Sequence, residues 1–297
     1  MRDTTYPMPS AQYRQARLMP GVLQYRDVGE GPPIVLIHGL LVNGRIWDRL
    51  TSALAPRTRC IVPELPLGSH SIPLGEGQEV SPAAVAALIA ELLEHLELED
   101  VTLVGNDTGG AISQLVAADH PERVGALVLT NCDAFEHFPP RALKPFVSGL
   151  ALPGVAAAGG MLGNFRWARG LISKLQLTVR PIDDDVVRAW MAPMGDRRIR
   201  ADLKQFVRAI PDTDMVAASE RLRGFDRPAL LAWAMRDPYF TVADGERLAA
   251  VLPQGRLEQI ENASTFVQLD APGRLAELIL EQVQARGATA PVPPAVR

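Results

Sequence analysis

The sequence contains few of the residues that bind metal ions or form disulfides: five histidines and two cysteines in 297 residues. Cys60 and Cys132 lie far apart and belong to no CxxC pair, and no HExxH motif is present. We therefore expect no metal site and no cofactor. This cysteine usage is typical of a reducing compartment, and residues 1–5 lead into no apolar run, so the sequence predicts a cytoplasmic protein without a signal peptide.

An excess of positive charge is also absent. Thirty Lys and Arg against thirty-four Asp and Glu give a net charge of −4, with no basic stripe, which argues against nucleic acid as a partner. One uncharged stretch, 146–165, is long enough to cross a bilayer. It contains Pro153 and five glycines, which favour an apolar lid over a pocket, so no membrane span is expected.

The pattern of apolar residues predicts an α/β fold. With 47% hydrophobic and 22% charged residues, a chain of this length can bury a core without crosslinks. Short β-branched runs alternate with longer helical patterns, which is typical of a mostly parallel sheet with helices on both faces. The predicted strands are 33–37, 59–63, 101–105, 124–130, 228–232 and 256–260. The predicted helices are 82–98 with Ser81 as N-cap, 108–120, and 271–286 with Asp270 as N-cap.

Strand patterns stop between residues 133 and 223, where only helical patterns remain. The chain is therefore predicted to form a core from 1–132 and 224–286, interrupted by a helical insertion at 133–223. Residues 287–297 have the composition of a disordered tail. The sequence does not indicate an oligomeric state.

The most informative segment is 103–110, LVGNDTGG, which predicts a strand, a G-x-D-x-G turn and a helix. This is the pattern of a nucleophile elbow, a sharp turn that raises one side chain above the carboxyl edge of the sheet. The raised residue is Asp107, at a helix N-terminus that stabilises negative charge. An ordinary turn with an aspartate N-cap is the alternative. No serine occupies a G-x-S-x-G motif, so a serine nucleophile is excluded.

A second loop follows the strand predicted at 33–37. The sequence His38-Gly39-Leu40 suits an oxyanion-hole loop, in which the backbone N–H groups of Leu40 and Thr108 bind an anion together. His38 is expected to support this loop as a buried residue and not to act as a base.

These motifs together resemble the α/β-hydrolase-fold superfamily over residues 15–286. The resemblance rests on the segments IVLIHG, VGNDTGG, LLAWAMRDPYF and STFVQLDAPGRLAELI. An aspartate at the elbow is similar to the haloalkane dehalogenase and epoxide hydrolase branches, in which an aspartyl ester forms and an activated water hydrolyses it. The resemblance implies that Asp107 is the nucleophile, that Asp237 is the acid of the triad and that the helical insertion is a cap.

The sequence departs from this family at the catalytic histidine. The resemblance places that position on Thr265, and no histidine occurs after His137. A carboxylate attacks an alkyl carbon unaided, whereas release of the ester needs a base beside a water. We expect Asp237 to serve as this base, either directly or through a water held by Thr265. The Asp107/Asp237 pair, which would titrate as a unit, could instead catalyse elimination or isomerisation.

Several other positions are candidates for the site. Asp133 is a second position for the acid in some dehalogenase relatives. His70 and His137 follow strands at the same sheet edge and are candidates for a relocated base, against structural or surface roles. Trp167 and Trp190 lie in the insertion and are candidates for pocket residues, against a packing role.

Two further family signatures are missing. Thr108 stands where haloalkane dehalogenases have a halide-binding tryptophan. Epoxide hydrolases have tyrosine acids in the cap, but the four tyrosines here, at 6, 13, 25 and 239, lie outside the insertion. We therefore expect a hydrolase-type enzyme that acts on a hydrophobic small molecule, a class suggested by the apolar insertion. The alternatives are a lyase, cyclase or isomerase with Asp107 as general acid–base, and a catalytically silent ligand-binding homologue.

Overall fold

The computed structural model describes residues 13–19 and 21–289, without the side chains of residues 173 and 286–289. Its strands are β1 (Tyr13–Leu18), β2 (Gly21–Val28), β3 (Pro33–Ile37), β4 (Arg59–Pro63), β5 (Val101–Asp107), β6 (Val124–Cys132), β7 (Ala229–Ala234) and β8 (Gly255–Ile260). They form one sheet in the order β1-β2-β4-β3-β5-β6-β7-β8. The pairs β1–β2 and β2–β4 are antiparallel, and all other neighbours are parallel.

Helices cover both faces of this sheet. The α-helices are α1 (Asp48–Leu54), α2 (Pro82–His95), α3 (Thr108–Asp119), α4 (Lys144–Gly149), α5 (Val155–Leu162), α6 (Arg166–Arg169), α7 (Asp184–Met191), α8 (Arg197–Ala209), α9 (Met215–Arg221), α10 (Val242–Val251), α11 (Val267–Asp270) and α12 (Pro272–Thr289). Successive side chains of a strand point to opposite faces. In β3, Val35 packs with the cluster that includes α2, α3 and α10, whereas Leu36 packs with the cluster that includes α1 and α12. The α/β fold with helices on both faces is thus confirmed.

The predicted strands all exist, and two, 33–37 and 59–63, have the predicted bounds. The Ser81 hydroxyl caps α2 by accepting the Ala84 N–H at 3.1 Å, as predicted. Sequence analysis missed β1, β2, α1 and α10. β1 is an edge strand whose first three residues are exposed, so it carries a weak hydrophobic pattern.

The prediction of Asp270 as an N-cap is wrong. Asp270 is the last residue of α11, and its carboxylate accepts the backbone N–H groups of Val179 at 2.9 Å and Ser264 at 3.0 Å. These tertiary contacts outweigh the local capping preference. α12 continues to Thr289, three residues into the predicted tail 287–297; the rest of that tail, 290–297, and residues 1–12 and 20 lie outside the described residues.

Between β6 and β7 the described chain forms no further strand: it contains one isolated bridge, Ala134 to His137, and the helices α4 to α9 with short 3-10 helices. The uncharged stretch 146–165 is divided into α4 and α5, which are separated by the Pro153-Gly154 turn. Within the described residues, no helix is both long and apolar enough to cross a membrane.

β5 continues directly into α3, and the first turn of α3 packs against the end of β3. A Cβ atom on Gly109 would overlap the carbonyl oxygens of Ile37 and His38. The close approach of these two backbones therefore requires glycine at this position.

We predict that Gly109→Ala lowers the free energy of unfolding by about 2 kcal/mol, because the methyl group would push α3 away from β3. Gly273→Ala is the matched control, since Gly273 lies in α12 with no atom within 4 Å of the added Cβ. The control should leave stability unchanged or raise it by roughly 0.5 kcal/mol. Urea unfolding measures both changes, and equal stabilities for the two variants would contradict the packing argument.

Candidate active site

Asp107 lies at the junction of β5 and α3 with φ +54° and ψ −133°. A residue with a side chain rarely adopts this backbone conformation, which marks a site where the surrounding fold imposes strain. The Asp107 side chain lines a cavity at the carboxyl edge of the sheet, as expected for an elbow residue.

Two peptide N–H groups bind the Asp107 carboxylate. The Leu40 N–H donates to Oδ2 at 3.1 Å, and the Thr108 N–H also hydrogen-bonds to the carboxylate. These are the two groups that sequence analysis named as oxyanion donors. Burial raises the pKa of Asp107 to about 7, assisted by the negative charge of Asp237 and opposed by these hydrogen bonds.

His38 holds the loop that carries Leu40. The Leu65 N–H donates to Nε2 of His38 at 2.9 Å, so Nδ1 carries the proton and donates to the Gly39 carbonyl, also at 2.9 Å. His38 is fully buried, and burial lowers its pKa to about 4. A Cβ on Gly39 would overlap the Asp107 carboxylate, so glycine allows this approach. His38 is thus a neutral support of the loop and does not line the cavity.

Asp237 and Thr265 lie next to each other in the loops after β7 and β8. Asp237 Oδ1 accepts the N–H groups of Tyr239 at 2.7 Å and Phe240 at 3.2 Å. Burial raises the pKa of Asp237, although these hydrogen bonds and the nearby Thr265 hydroxyl lower it. Neither Asp237 Oδ2 nor Thr265 Oγ1 makes a hydrogen bond with the described residues. Thr265 lines the cavity, whereas the side chain of Asp237 does not.

Asn106, which sequence analysis overlooked, connects the elbow to the loop of Thr265. Its Nδ2 donates to the Thr265 carbonyl at 2.7 Å, and its Oδ1 accepts from Gln268 Nε2 at 2.8 Å. The only sequence signal was its position directly before Asp107. This bridge ties the elbow to the loop that carries Thr265.

Asp133 lies at the end of β6 and is buried in the wall of the cavity. The Thr108 hydroxyl donates to its Oδ2 at 3.1 Å, and its Oδ1 has no partner among the described residues. Burial and the charge of Asp107 raise the pKa of Asp133 well above its ordinary value. The structure therefore brings Asp133, the second candidate acid, to the same cavity as Asp107.

The structure brings neither candidate base to the site. His137 contacts Asp244 at 2.9 Å, which joins the start of the insertion to α10. His70 is buried and contacts Asp202 of α8 at 3.0 Å. Both histidines hold the insertion against the core, and neither lines the cavity.

The cavity has a volume of about 890 Å³. The polar side chains in its lining are those of Asp107, Thr108, Asp133, Tyr239 and Thr265, together with the indole N–H of Trp190. The remaining lining is apolar and comes mainly from the insertion, including Leu143, Phe146, Val147, Leu150, Val155, Ala156, Leu162, Leu171, Ile172, Leu175, Leu177, Met191, Met194 and Ile210. Among the described residues, no histidine, lysine, arginine or glutamate lines this cavity.

The two tryptophans of the insertion differ in position. Trp190 is buried, lines the cavity, packs edge-on against Phe266 at 5.9 Å between ring centroids, and leaves its Nε1–H unpartnered among the described residues. Trp167 is 64% exposed, packs beside Phe165 and lies outside the cavity lining, so its proposed contact with substrate is corrected. Tyr239, which sequence analysis set aside, lines the cavity and donates its hydroxyl to the Leu175 carbonyl at 2.8 Å.

The fold and this elbow are those of an α/β hydrolase. Residues 32–272 match the family model described as "alpha/beta hydrolase fold", and the chain therefore belongs to this family. It is 32% identical over 282 residues to haloalkane dehalogenase 2 of Mycobacterium bovis and of Mycobacterium tuberculosis, an alignment that covers 93% of this chain and 96% of each relative. These relatives place the chain with hydrolase-fold enzymes, on a dehalogenase-like branch.

Two further relatives are informative. The chain is 27% identical over 291 residues to a cis-3-alkyl-4-alkyloxetan-2-one decarboxylase of Xanthomonas campestris pv. campestris, which covers 90% of this chain and 94% of the relative. Haloalkane dehalogenase DbeA from Bradyrhizobium elkani superimposes with a TM-score of 0.78 at 19% identity, over 95% of this chain and 100% of that structure. The structural match shows the shared fold.

We predict that Asp107→Asn stabilises the protein and does so more at about pH 8 than at about pH 4.5. The folded-state pKa of Asp107 is raised from 3.8 to about 7, so the folded chain binds this proton more tightly than the unfolded chain. Stability therefore falls as pH rises through this window, and asparagine removes that loss. Thermal melts at both pH values measure the effect. Asp226→Asn, at a side chain 87% exposed, is the control, and an equal gain in Tm at both pH values for Asp107→Asn would contradict the prediction.

Proposed function

We propose that this enzyme uses the Asp107 carboxylate to displace a leaving group from an alkyl carbon of a hydrophobic small molecule, forming an ester on Asp107. The observation that carries this proposal is the elbow carboxylate in the lining of an apolar cavity of about 890 Å³. The name of the dehalogenase relatives at 32% identity supports this chemistry. In this proposal residues 1–132 and 224–286 form the core, and the insertion 133–223 is the cap over the substrate.

The attack uses one oxygen of the carboxylate. Because the Leu40 N–H holds Oδ2, Oδ1 is the oxygen that attacks the substrate carbon. The carbon–leaving group bond breaks as the ester bond forms, and the leaving group departs with the electron pair. Only the ionised carboxylate reacts, so the rate of ester formation should rise with pH and level off above about 7, the pKa of Asp107.

Asp133 is assigned the role of proton donor to the leaving group. Burial and the charge of Asp107 raise the pKa of Asp133, which favours its protonated form. Its Oδ1 has no hydrogen-bond partner among the described residues, and it lines the same cavity as Asp107. A neutral carboxylic acid in this position can protonate an oxygen leaving group as it departs. This favours strained oxygen rings among the substrates beside alkyl halides.

Release of the ester is the difficult step in this cavity. No side chain of the described lining other than the carboxylates can accept a proton near neutral pH, and Asp237 reaches the cavity only through Thr265. With a halide substrate, which needs no proton, Asp133 stays protonated, so a water that attacks the ester loses its proton through the Thr265 hydroxyl to Asp237 or without help. With an oxygen leaving group, Asp133 has given up its proton and can accept one from the water. Ester formation is consequently expected to be faster than its hydrolysis.

We predict that a long-chain 1-bromoalkane adds one alkyl group to the protein. Intact-mass spectrometry should show a single adduct that persists, and peptide mapping should locate it on Asp107. Asp107→Asn should form no adduct, because an amide is a far weaker nucleophile than a carboxylate. A wild-type protein that turns over repeatedly without an adduct, or an adduct on the asparagine variant, would refute the proposal that Asp107 forms a lasting ester.

Two variants at one position test why the ester persists. Thr265→His places an imidazole beside Asp237, so it should release the alcohol and convert one alkylation into repeated turnover. Thr265→Val should form the adduct as the wild type does and hold it at least as long. Failure of the valine variant to form the adduct would instead assign Thr265 to the alkylation step. A protein that forms neither adduct nor product with halides, epoxides or lactones would fit the silent ligand-binding alternative.

A second candidate function is decarboxylation of a β-lactone, which regenerates the carboxylate without a base. Asp107 attacks C4 of an oxetan-2-one ring, the C4–O bond breaks, and a free substrate carboxylate forms. The bond between C3 and this carboxylate then breaks, its electron pair forms the C3=C4 double bond, and the C4–O bond to Asp107 breaks. CO₂ and an alkene leave. The absence of histidine from the described cavity lining and the name of the decarboxylase relative favour this route.

We predict that a cis-3,4-dialkyl-oxetan-2-one gives the alkene and CO₂ when it is incubated with the protein. Because no water takes part, reaction in ¹⁸O-labelled water should give CO₂ without label at early times. Thr265→Val should retain this activity, whereas Asp107→Asn should lose it. A β-hydroxy acid as the product, in which label appears after the first turnover because the product hydroxyl oxygen comes from Asp107, would show hydrolysis and exclude the decarboxylase route.

A further inference from the structure

Exposed apolar side chains are concentrated in one part of the insertion. Of the thirteen large apolar side chains that are exposed in the described chain, ten lie between residues 146 and 179. We call these ten residues the insertion face: Phe146, Leu152, Val155, Met161, Leu162, Phe165, Trp167, Leu171, Leu175 and Val179. Apolar surface concentrated in this way is unusual on a soluble protein and marks an interaction site.

The charges within this segment all have one sign. Between Glu136 and Asp183 the sequence has no acidic residue, although the whole chain has a net charge of −4. The basic residues of the segment are Arg141, Lys144, Arg166, Arg169, Lys174 and Arg180. Arg169 is buried and pairs with Asp184 at 2.6 Å, whereas the other five are exposed and form no ion pair with any described residue.

The insertion face surrounds the mouth of the Asp107 cavity. Five of its ten exposed members also line the cavity and so form its rim: Phe146, Val155, Leu162, Leu171 and Leu175. Three of the five exposed cations are chain neighbours of members of the face: Arg166 lies between Phe165 and Trp167, Lys174 precedes Leu175, and Arg180 follows Val179. Apolar contact and positive charge are therefore presented together at the entrance to the cavity.

We propose that the insertion face docks onto the surface of an anionic lipid bilayer and holds the cavity mouth against it. Apolar side chains interleaved with Lys and Arg suit the boundary between acyl chains and anionic headgroups. Charge decides between this partner and a second copy of the chain. Two insertion faces in contact would bring ten unpaired cations together, whereas anionic headgroups neutralise them. This docking goes beyond the proposed function, because it does not depend on the chemistry of Asp107.

The tryptophans provide a direct reporter of docking. Trp167 belongs to the insertion face and is 64% exposed, whereas Trp47, Trp190 and Trp233 are buried. A shift of the emission to shorter wavelength on binding should therefore come from Trp167. Trp167→Phe keeps an aromatic side chain on the face and should remove the shift while vesicle binding persists.

The test uses the full chain with large unilamellar vesicles of equal parts phosphatidylcholine and phosphatidylglycerol, compared with phosphatidylcholine alone. The wild type should sediment with the anionic vesicles at low salt, and less at high salt because the charges are screened. The double variant Leu152→Asp/Met161→Asp changes side chains 60% and 66% exposed that do not line the cavity. It should weaken vesicle binding by about tenfold or more.

Three further variants separate charge, location and chemistry. Arg166→Glu/Lys174→Glu should weaken binding to anionic vesicles by about tenfold. Met19→Asp, at a methionine 89% exposed and outside the face, should bind as the wild type does. Asp107→Asn should also bind normally, so a failure of the proposed chemistry leaves the docking test unaffected.

Three outcomes would overturn the proposal. The wild type could stay in the supernatant with anionic vesicles, or it could bind the two vesicle types equally with no effect of salt. A dimer in sedimentation velocity that becomes a monomer in Leu152→Asp/Met161→Asp would assign the face to a second copy of the chain.

Discussion

The Asp107 carboxylate is held by two peptide N–H groups at a backbone position that side chains rarely adopt, and the arrangement of the site depends on this constraint. A φ of +54° is maintained only because the surrounding backbone leaves no alternative. Gly39 and Gly109 let the loop after β3 and the first turn of α3 approach the elbow. Because β3 and β5 are parallel neighbours, Leu40 and Asp107 both leave the same edge of the sheet.

Three carboxyl groups gather at this edge without a histidine to share their charge. Asp107, Asp133 and Asp237 each have a pKa raised mainly by burial. In a hydrolase with an imidazole at position 265, a cation could form beside Asp237 and offset this negative charge. Thr265 cannot carry charge, so nothing at that position offsets the raised pKa values of the three carboxyl groups. The acid–base state of the site therefore depends on pH near neutrality, through Asp107 above all.

The local chemistry of the site could be predicted from the sequence because it depends on backbone geometry. A G-x-D-x-G pattern after an apolar run specifies the turn, and the turn specifies the position of Asp107 and of the Thr108 N–H. The prediction of Leu40 followed in the same way from the glycine after His38. These features depend on residues that are near each other in sequence, which is why a single sequence contains the information.

Tertiary contacts determine the features of the site that could not be predicted from the sequence. Asp270 has the residue type and spacing of an N-cap, but its carboxylate instead accepts backbone N–H groups from Ser264, six residues earlier, and from Val179, which is distant in sequence. Trp167 and Trp190 have equivalent patterns in the sequence, and only the packing of the insertion places one inside and the other outside. Tyr239 reaches the cavity because its loop follows β7 at the active edge, outside the insertion in which the family resemblance places tyrosine acids.

The apolar insertion and a cavity lining without histidine among the described residues act on the same step of the proposed chemistry. An apolar cavity wall keeps water at low concentration around the ester, and the lack of a base slows the attack of any water that enters. Either feature alone would reduce hydrolysis, and together they favour routes that need no water. A carboxylate that is regenerated by loss of CO₂ meets this condition, whereas a halide substrate would leave the carboxylate esterified. The choice between a lasting adduct and repeated turnover then depends on the substrate, since the residues at the elbow serve both.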